Sequence, residues 1–126
     1  MYTFVEQLYE PDMLAEANYR WTTGHRTLAD YTQVKHNLPG VYKLYRNRRL
    51  VTIGQSCDLR KRLRRHVANV RRYFRGREGE WTFRIYPMPG SSEAHRKRKE
   101  TAVILRNCQL VPAQCRRHRE QEIGLF

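Results

Sequence analysis

The plainest pattern of apolar and polar positions lies in the middle of the chain. Gly40 to Arg46 (G-V-Y-K-L-Y-R) and Leu50 to Gly54 (L-V-T-I-G) are rich in β-formers, with Asn47-Arg48-Arg49 between them. Two short strands with so brief a connection predict an antiparallel hairpin. Asp58 then reads as the N-cap of a helix running to about Arg75 and ended by Gly76. Its apolar residues Leu59, Leu63, Val67, Val70 and Phe74 recur at helical spacing, so one face packs on the sheet. Trp81 to Tyr86 (W-T-F-R-I-Y) reads as a third strand with Trp81, Phe83 and Ile85 on one face, ended by Pro87, Pro89 and Gly90. Ser91 or Ser92 opens a further helix to about Asn107, whose buried part is Ala102 to Leu105.

The flanks are less patterned. Pro11 at a first-turn position, followed by Met13, Leu14, Ala17 and Tyr19, predicts a short helix ending before Gly24. Thr27 caps a second one carrying Leu28, Tyr31 and Val34, stopped by Asn37 and Pro39. After Pro112 the chain is polar and basic and reads as loop or short helix. The expected organisation is a helical extension over 1–37, a core over 38–112 and a basic tail over 113–126. Three short strands with helices on their faces make the fold class α+β.

At 126 residues the chain supports one domain rather than a multidomain enzyme. Its longest apolar run, Ala102 to Leu105, is far short of the roughly 20 residues of a membrane span, so no membrane partner is expected. Charge changes the picture more. The formal net charge is +13, and 20 of the 25 basic residues are Arg. Self-repulsion of that size is usually offset by a polyanionic partner, and Arg forks match phosphate bidentately. DNA is the expected partner, with RNA as the second candidate; a GC-rich genome would also enrich Arg. Three cysteines (Cys57, Cys108, Cys115) are too odd and sparse a set for a disulfide framework. The first 19 residues hold no Lys or Arg, the reverse of a signal n-region. The expectation is a reducing, cytoplasmic setting rather than secretion.

Few residues stand out as chemistry. Arg62 and His66, four apart, share a helix face at the margin of the Leu59–Leu63–Val67 stripe, where an Arg must be paired or bind something. Arg60, Lys61, Arg64 and Arg65 lie along the same basic helix and read as a phosphate-attracting surface. Gln55 and Ser56 stand at its entrance, where backbone donors can hold a phosphate. Glu100 is the lone acid of a basic helical stretch, beside the buried face through Val103 and Ile104; it is either ion-paired or a ligand for a hard cation such as Mg²⁺. Cys108, Cys115 and His118 could supply three zinc ligands, at a spacing uncommon for closed sites. No phosphate-binding glycine loop, Ser-His-Asp set or H-E-x-x-H is present.

Taken together, Gly40-Val41-Tyr42, then Thr52-Ile53-Gly54, then Gln55-Ser56-Cys57-Asp58-Leu59-Arg60-Lys61-Arg62-Leu63-Arg64-Arg65-His66 resemble the GIY-YIG nuclease superfamily, which includes the incision domain of excision repair and homing and restriction endonucleases. The resemblance covers residues about 38 to 112. It implies a three-stranded antiparallel sheet flanked by helices and metal-dependent hydrolysis of a DNA phosphodiester. It also implies roles: Tyr42 to activate the attacking water, Arg62 to stabilise the scissile phosphate, His66 to assist proton transfer, and Glu100 to bind a single Mg²⁺ or Mn²⁺. A phenol near its ordinary pKa of ~10 is a poor base, and Arg62 with the metal would lower it. Two positions depart from the family pattern. Thr52 stands where the second tyrosine would be, keeping a hydroxyl without its reach. Pro112-Ala113-Gln114-Cys115 lacks the asparagine expected after a proline.

The expected function is a divalent-metal-dependent DNA endonuclease with little sequence preference of its own. Specificity would come from a homodimer or a partner protein. The alternative is a catalytically impaired DNA- or RNA-binding module; a ribosome- or RNA-associated accessory role, suggested by Tyr73, Tyr86 and Trp81, stands third.

Overall fold

The computed structural model describes residues 18–73 and 79–122. The helix expected to begin at Pro11, Phe74 and the stop at Gly76 lie mostly or wholly outside the described residues. The fold is α+β, built on a four-stranded antiparallel sheet with helices against it. Strand β1 is Arg26–Thr27, β2 Gly40–Arg46, β3 Arg49–Ser56 and β4 Trp81–Pro87; the order across the sheet is β1-β4-β2-β3. Helix α1 is Leu59–Tyr73, α2 Glu93–Arg106 and α3 Pro112–Glu122.

The hairpin β2–β3 turns on Asn47 and Arg48, both with positive φ (51° and 66°). That is a two-residue connection rather than three, and Arg49 already belongs to β3. Left-handed φ at both central residues matches the right-handed twist of the strands, and Asn tolerates it well. A register irregularity follows between Leu44 and Tyr45. The same hairpin sets Tyr42 directly opposite Gly54, and Val41 opposite Gln55.

Alternation along the strands divides the core between the two sheet faces. One face carries Tyr42, Leu44, Phe83 and Ile85, which pack with Leu59 and Leu63 of α1 and with Leu28 and Val34. The other carries Val41, Ile53 and Tyr86, which pack with Val103 and Ile104 of α2 and with Val111 and Cys115 near the start of α3. The periodic residues Leu59 and Leu63 are fully buried, and Val67 and Val70 half-bury beside them. Tyr86 and Trp81 are packing residues, against the accessory-role reading of those two aromatics; the side chain of Tyr73 is outside the described set.

Three further expectations need correction, and one open reading is decided. The sheet has a fourth strand: Arg26–Thr27 pairs with Phe83 and Thr82. Both residues of β1 are exposed, so no apolar alternation marked it. The helix expected from Thr27 is a 3-10 helix, Leu28–Gln33, so the described part of the extension is strand and 3-10 turn. The tail after Pro112, expected as loop or short helix, is a short helix to Glu122. Finally, Cys108 and Cys115 form a disulfide, seven residues apart, which leaves Cys57 exposed and free. That bond also removes both sulfurs from the zinc reading. Among the described residues no helix is long and apolar enough to cross a membrane.

Candidate active site

Tyr42 leaves β2 toward α1 and is 98% buried, with its ring among the apolar residues of that face. Its hydroxyl passes over Gly54, where any Cβ would collide with the phenol oxygen and ring. Gly40 is constrained in the same way, since a Cβ there would strike the Tyr86 carbonyl and Leu59. Both motif glycines therefore exist to admit neighbours, the first helix and the tyrosine.

On α1, one turn apart, Arg62 and His66 both reach the phenol. Arg62 Nε donates to the Tyr42 hydroxyl at 3.3 Å, and His66 Nε2 lies 2.8 Å from the same oxygen. The Tyr42 and His66 rings meet edge to face with centroids 5.2 Å apart. Arg can only donate, so the phenol oxygen accepts from Arg62 and its own proton is assigned to His66 Nε2. That assignment requires an uncharged imidazole. Burial, with Arg62 and Arg65 nearby, lowers the His66 pKa to about 4, so the ring is neutral near pH 7.

The phenol itself is corrected from expectation. Burial raises the Tyr42 pKa above its ordinary value despite the hydrogen bond and charge of Arg62, which work the other way. Desolvation wins, and Tyr42 is a phenol rather than a phenolate.

Glu100 approaches from the opposite side of the sheet. It lies on α2, accepts the backbone N–H of Gln55 at the β3 edge, and is close enough to Arg62 and Tyr42 for each to feel its charge. Burial raises its pKa, while His118, the Gln55 N–H, Lys97 and Arg62 oppose the shift. His118 Nε2 stands 3.9 Å from the carboxylate, and Nδ1 of its ring 3.1 Å from the Thr101 hydroxyl.

Among the described residues no group of three His, Cys, Asp or Glu side chains could enclose a metal. One carboxylate still fits a hard cation that keeps most of its shell as water and phosphate oxygen, as Mg²⁺ commonly does. Glu100 is the residue that would hold it.

Tyr42, Arg62 and His66 are thus joined by hydrogen bonds, and Glu100 lies within electrostatic range of Tyr42 and Arg62. Thr52 stands apart: it shares the Tyr42 face one cross-strand pair away, opposite Leu44, and is hydrogen-bonded to none of the four. The surface residues divide. Arg60 turns back to the Thr32 and Val34 carbonyls, at 2.8 and 3.4 Å, and caps the 3-10 helix instead of facing outward. Ser56 is engaged with Asp58 in the turn into α1. Arg64 is exposed. Lys61, Arg62, Arg65, Gln55 and Ser56 line an open cleft of about 440 Å³, together with Arg96 and Glu93 of α2.

Three residues at the site were not foreseen in their roles. Gln114 of α3 caps the outer edge of β3, accepting from Ile53 N at 3.2 Å and donating to Ile53 O at 2.8 Å. His118 faces Glu100 rather than zinc. Arg96 is buried at 7% exposure within the basic stretch His95 to Lys99, where nothing in the sequence singled it out.

No protein-family model, curated protein or solved structure matches this chain.

Proposed function

We propose that the protein is a divalent-metal-dependent endonuclease of the GIY-YIG type, hydrolysing DNA phosphodiesters with little sequence preference of its own. The observation that carries this reading is the phenol of Tyr42 shared by Arg62 and a neutral His66, with the Glu100 carboxylate within electrostatic range. A structural tyrosine needs one hydrogen-bond partner when buried. A guanidinium and a neutral imidazole on one phenol are an arrangement suited to moving a proton beside an anion.

In the proposed reaction, the attacking water gives its proton to the Tyr42 oxygen as the phenolic proton passes to His66 Nε2. The new bond forms from the water oxygen to phosphorus, and the bond to the leaving sugar oxygen breaks. Tyr42 ends the relay as a phenol; the charged His66 ring then gives up its proton to solvent, and the leaving sugar oxygen takes one from water. A relay of this kind avoids forming a phenolate in a site that disfavours one. The Arg62 guanidinium stabilises the extra negative charge of the phosphorane-like transition state. Glu100 would hold a divalent ion, which would supply positive charge to stabilise the phosphoryl transition state. His118 and the Gln55 N–H orient the carboxylate.

The basic cleft beside these residues supports nucleic acid as the substrate. Exchange of Glu100 for Ala tests the reading: cleavage of DNA in Mg²⁺ or Mn²⁺ is lost while binding in EDTA persists. Equal cleavage by the variant would refute it.

The second reading, a DNA- or RNA-binding module without catalysis, is favoured by one observation. Thr52 replaces the second tyrosine of the resemblance and stands apart from the four grouped side chains. It is distinguished by the absence of product with every divalent ion, alongside steeply salt-dependent binding.

A further inference from the structure

Arg96 sits in the first turn of α2, 7% exposed, and lines the cleft that α1 enters from the other side. Burying a guanidinium demands compensation, normally a carboxylate. None pairs with it among the described residues. Its partners are neutral: Nε donates to Gln55 Oε1 at 3.1 Å, and Nη1 to the Ser91 carbonyl at 2.7 Å and the Ser91 hydroxyl at 3.3 Å. Glu93, the acid nearest in sequence, pairs instead with Lys97 at 3.3 Å. The bonds fall on Nε and Nη1, so Nη2 is left for a ligand. Gln55 ties the group to the candidate site, since its side chain holds Arg96 while its backbone N–H holds Glu100.

The cleft adds to this. Lys61, Arg62 and Arg65 come from α1 and Arg96 from α2, against Asp58 and Glu93. Asp58 Oδ1 is committed to the Lys61 backbone N–H at the helix start. The cations with no acidic partner outnumber the acids, and the first turns of α1 and α2 both open on the space, each adding the positive end of its dipole. Arg96 differs from its neighbours in being fixed before any ligand arrives, so little side-chain entropy is lost on binding. A flexible surface cation attracts; a clamped one positions.

We propose that Arg96 is a phosphate-positioning residue that seats a second backbone phosphate of the nucleic-acid strand whose scissile phosphate faces Arg62. The assignment of the second phosphate to that strand rests on the nuclease reading; the existence of the phosphate site does not. Binding is therefore measured in EDTA, where cleavage plays no part, on the full chain with fluorescently labelled DNA. Arg96→Gln weakens binding about tenfold and lowers the slope of log affinity against log salt by roughly 0.7 to 0.9, the value of one lost phosphate contact. Arg96→Lys restores most of the slope and part of the affinity, because it keeps the charge without the fork. Wild-type affinity and slope in a folded Arg96→Gln protein would overturn the proposal.

The wild-type protein supplies a readout that no folding defect can blur. The Arg96 Nε–H nuclear resonance, assigned by its loss in Arg96→Lys, shifts on titration with the metal-free oligonucleotide. A resonance that stays in place overturns the proposal. So does one moved by inorganic phosphate alone and not by DNA, which would make this a free-anion site. A shift with DNA, in a protein that never cuts, upholds the phosphate site and refutes the nuclease reading, so the two failures are told apart.

Discussion

The phenolic oxygen of Tyr42 on β2 lies 2.8 Å from Nε2 of His66 on α1, and that contact ties a sheet residue to a helix residue 24 positions away in sequence. With His66 neutral and the phenol protonated, the pair has one proton and two places for it. Exchange of Tyr42 for Phe keeps the buried ring and removes the oxygen. DNA cleavage should fall at least ~100-fold, the usual size of a lost acid–base group, while binding in EDTA is unchanged. Gel assays of plasmid nicking and fluorescence titration check the two halves separately.

Stability should carry a signature of the same contact. The folded His66 titrates near pH 4, below the ordinary 6.5. Between those values the unfolded chain binds more protons, so stability falls as pH drops from about 6.5 toward 4. His25, also lowered by burial, acts with the same sign. Glu100 is raised, and acts with the opposite one above its ordinary value. Comparing wild type with His66→Gln by thermal melts at pH 6.5, 5.5 and 4.5 isolates the His66 part. Wild type should lose more of its melting temperature over that range; parallel losses would show that His66 is not buried as a neutral ring.

Gly54→Ala should damage site and fold together. The new Cβ meets the Tyr42 hydroxyl and ring. Overpacking of this kind costs about 1–3 kcal/mol. The phenol should be pushed off His66, so the variant melts lower and cuts poorly. Full activity in Gly54→Ala would mean that Tyr42 does not need its present position.

Gln114→Ala addresses the edge of β3 rather than the chemistry. The side-chain amide satisfies both the N–H and the C=O of Ile53. Losing it leaves two backbone groups of a sheet edge unpaired, a cost of about 1–3 kcal/mol where water cannot replace it. Amide exchange at Ile53 should accelerate, with exchange in the centre of β2 unaffected below the global unfolding limit.

How much of this was legible depends on how local the signal was. Strand alternation placed β2, β3 and β4, and the Leu59–Leu63 spacing placed the buried face of α1, because both periods follow from backbone geometry. The i,i+4 spacing put Arg62 and His66 on one helix face. What sequence could not give were contacts between distant segments with no pattern of their own. Arg26 and Thr27 form a strand by borrowing the edge of β4, with neither side chain buried. Helix α3 has little amphipathic character, and is held by the Cys108–Cys115 bond and by Gln114 at the β3 edge. Arg60 looked like its basic neighbours but caps two carbonyls. Arg96 was not singled out within His95-Arg96-Lys97-Arg98-Lys99 and is buried. A run of like charges says nothing about which member turns inward. The direction of the Tyr42 shift was also beyond reach, since it depends on how much burial outweighs Arg62.

The most direct test of the central claim is incubation of supercoiled plasmid and single-stranded DNA with the wild-type protein and with Arg62→Ala, each in Mg²⁺, Mn²⁺ and EDTA. Wild type with metal should give nicked or cut DNA and none in EDTA, and Arg62→Ala at least ~100-fold less, the scale of losing one transition-state donor. No product from wild type under any of these conditions, or equal product from both proteins, would contradict the claim.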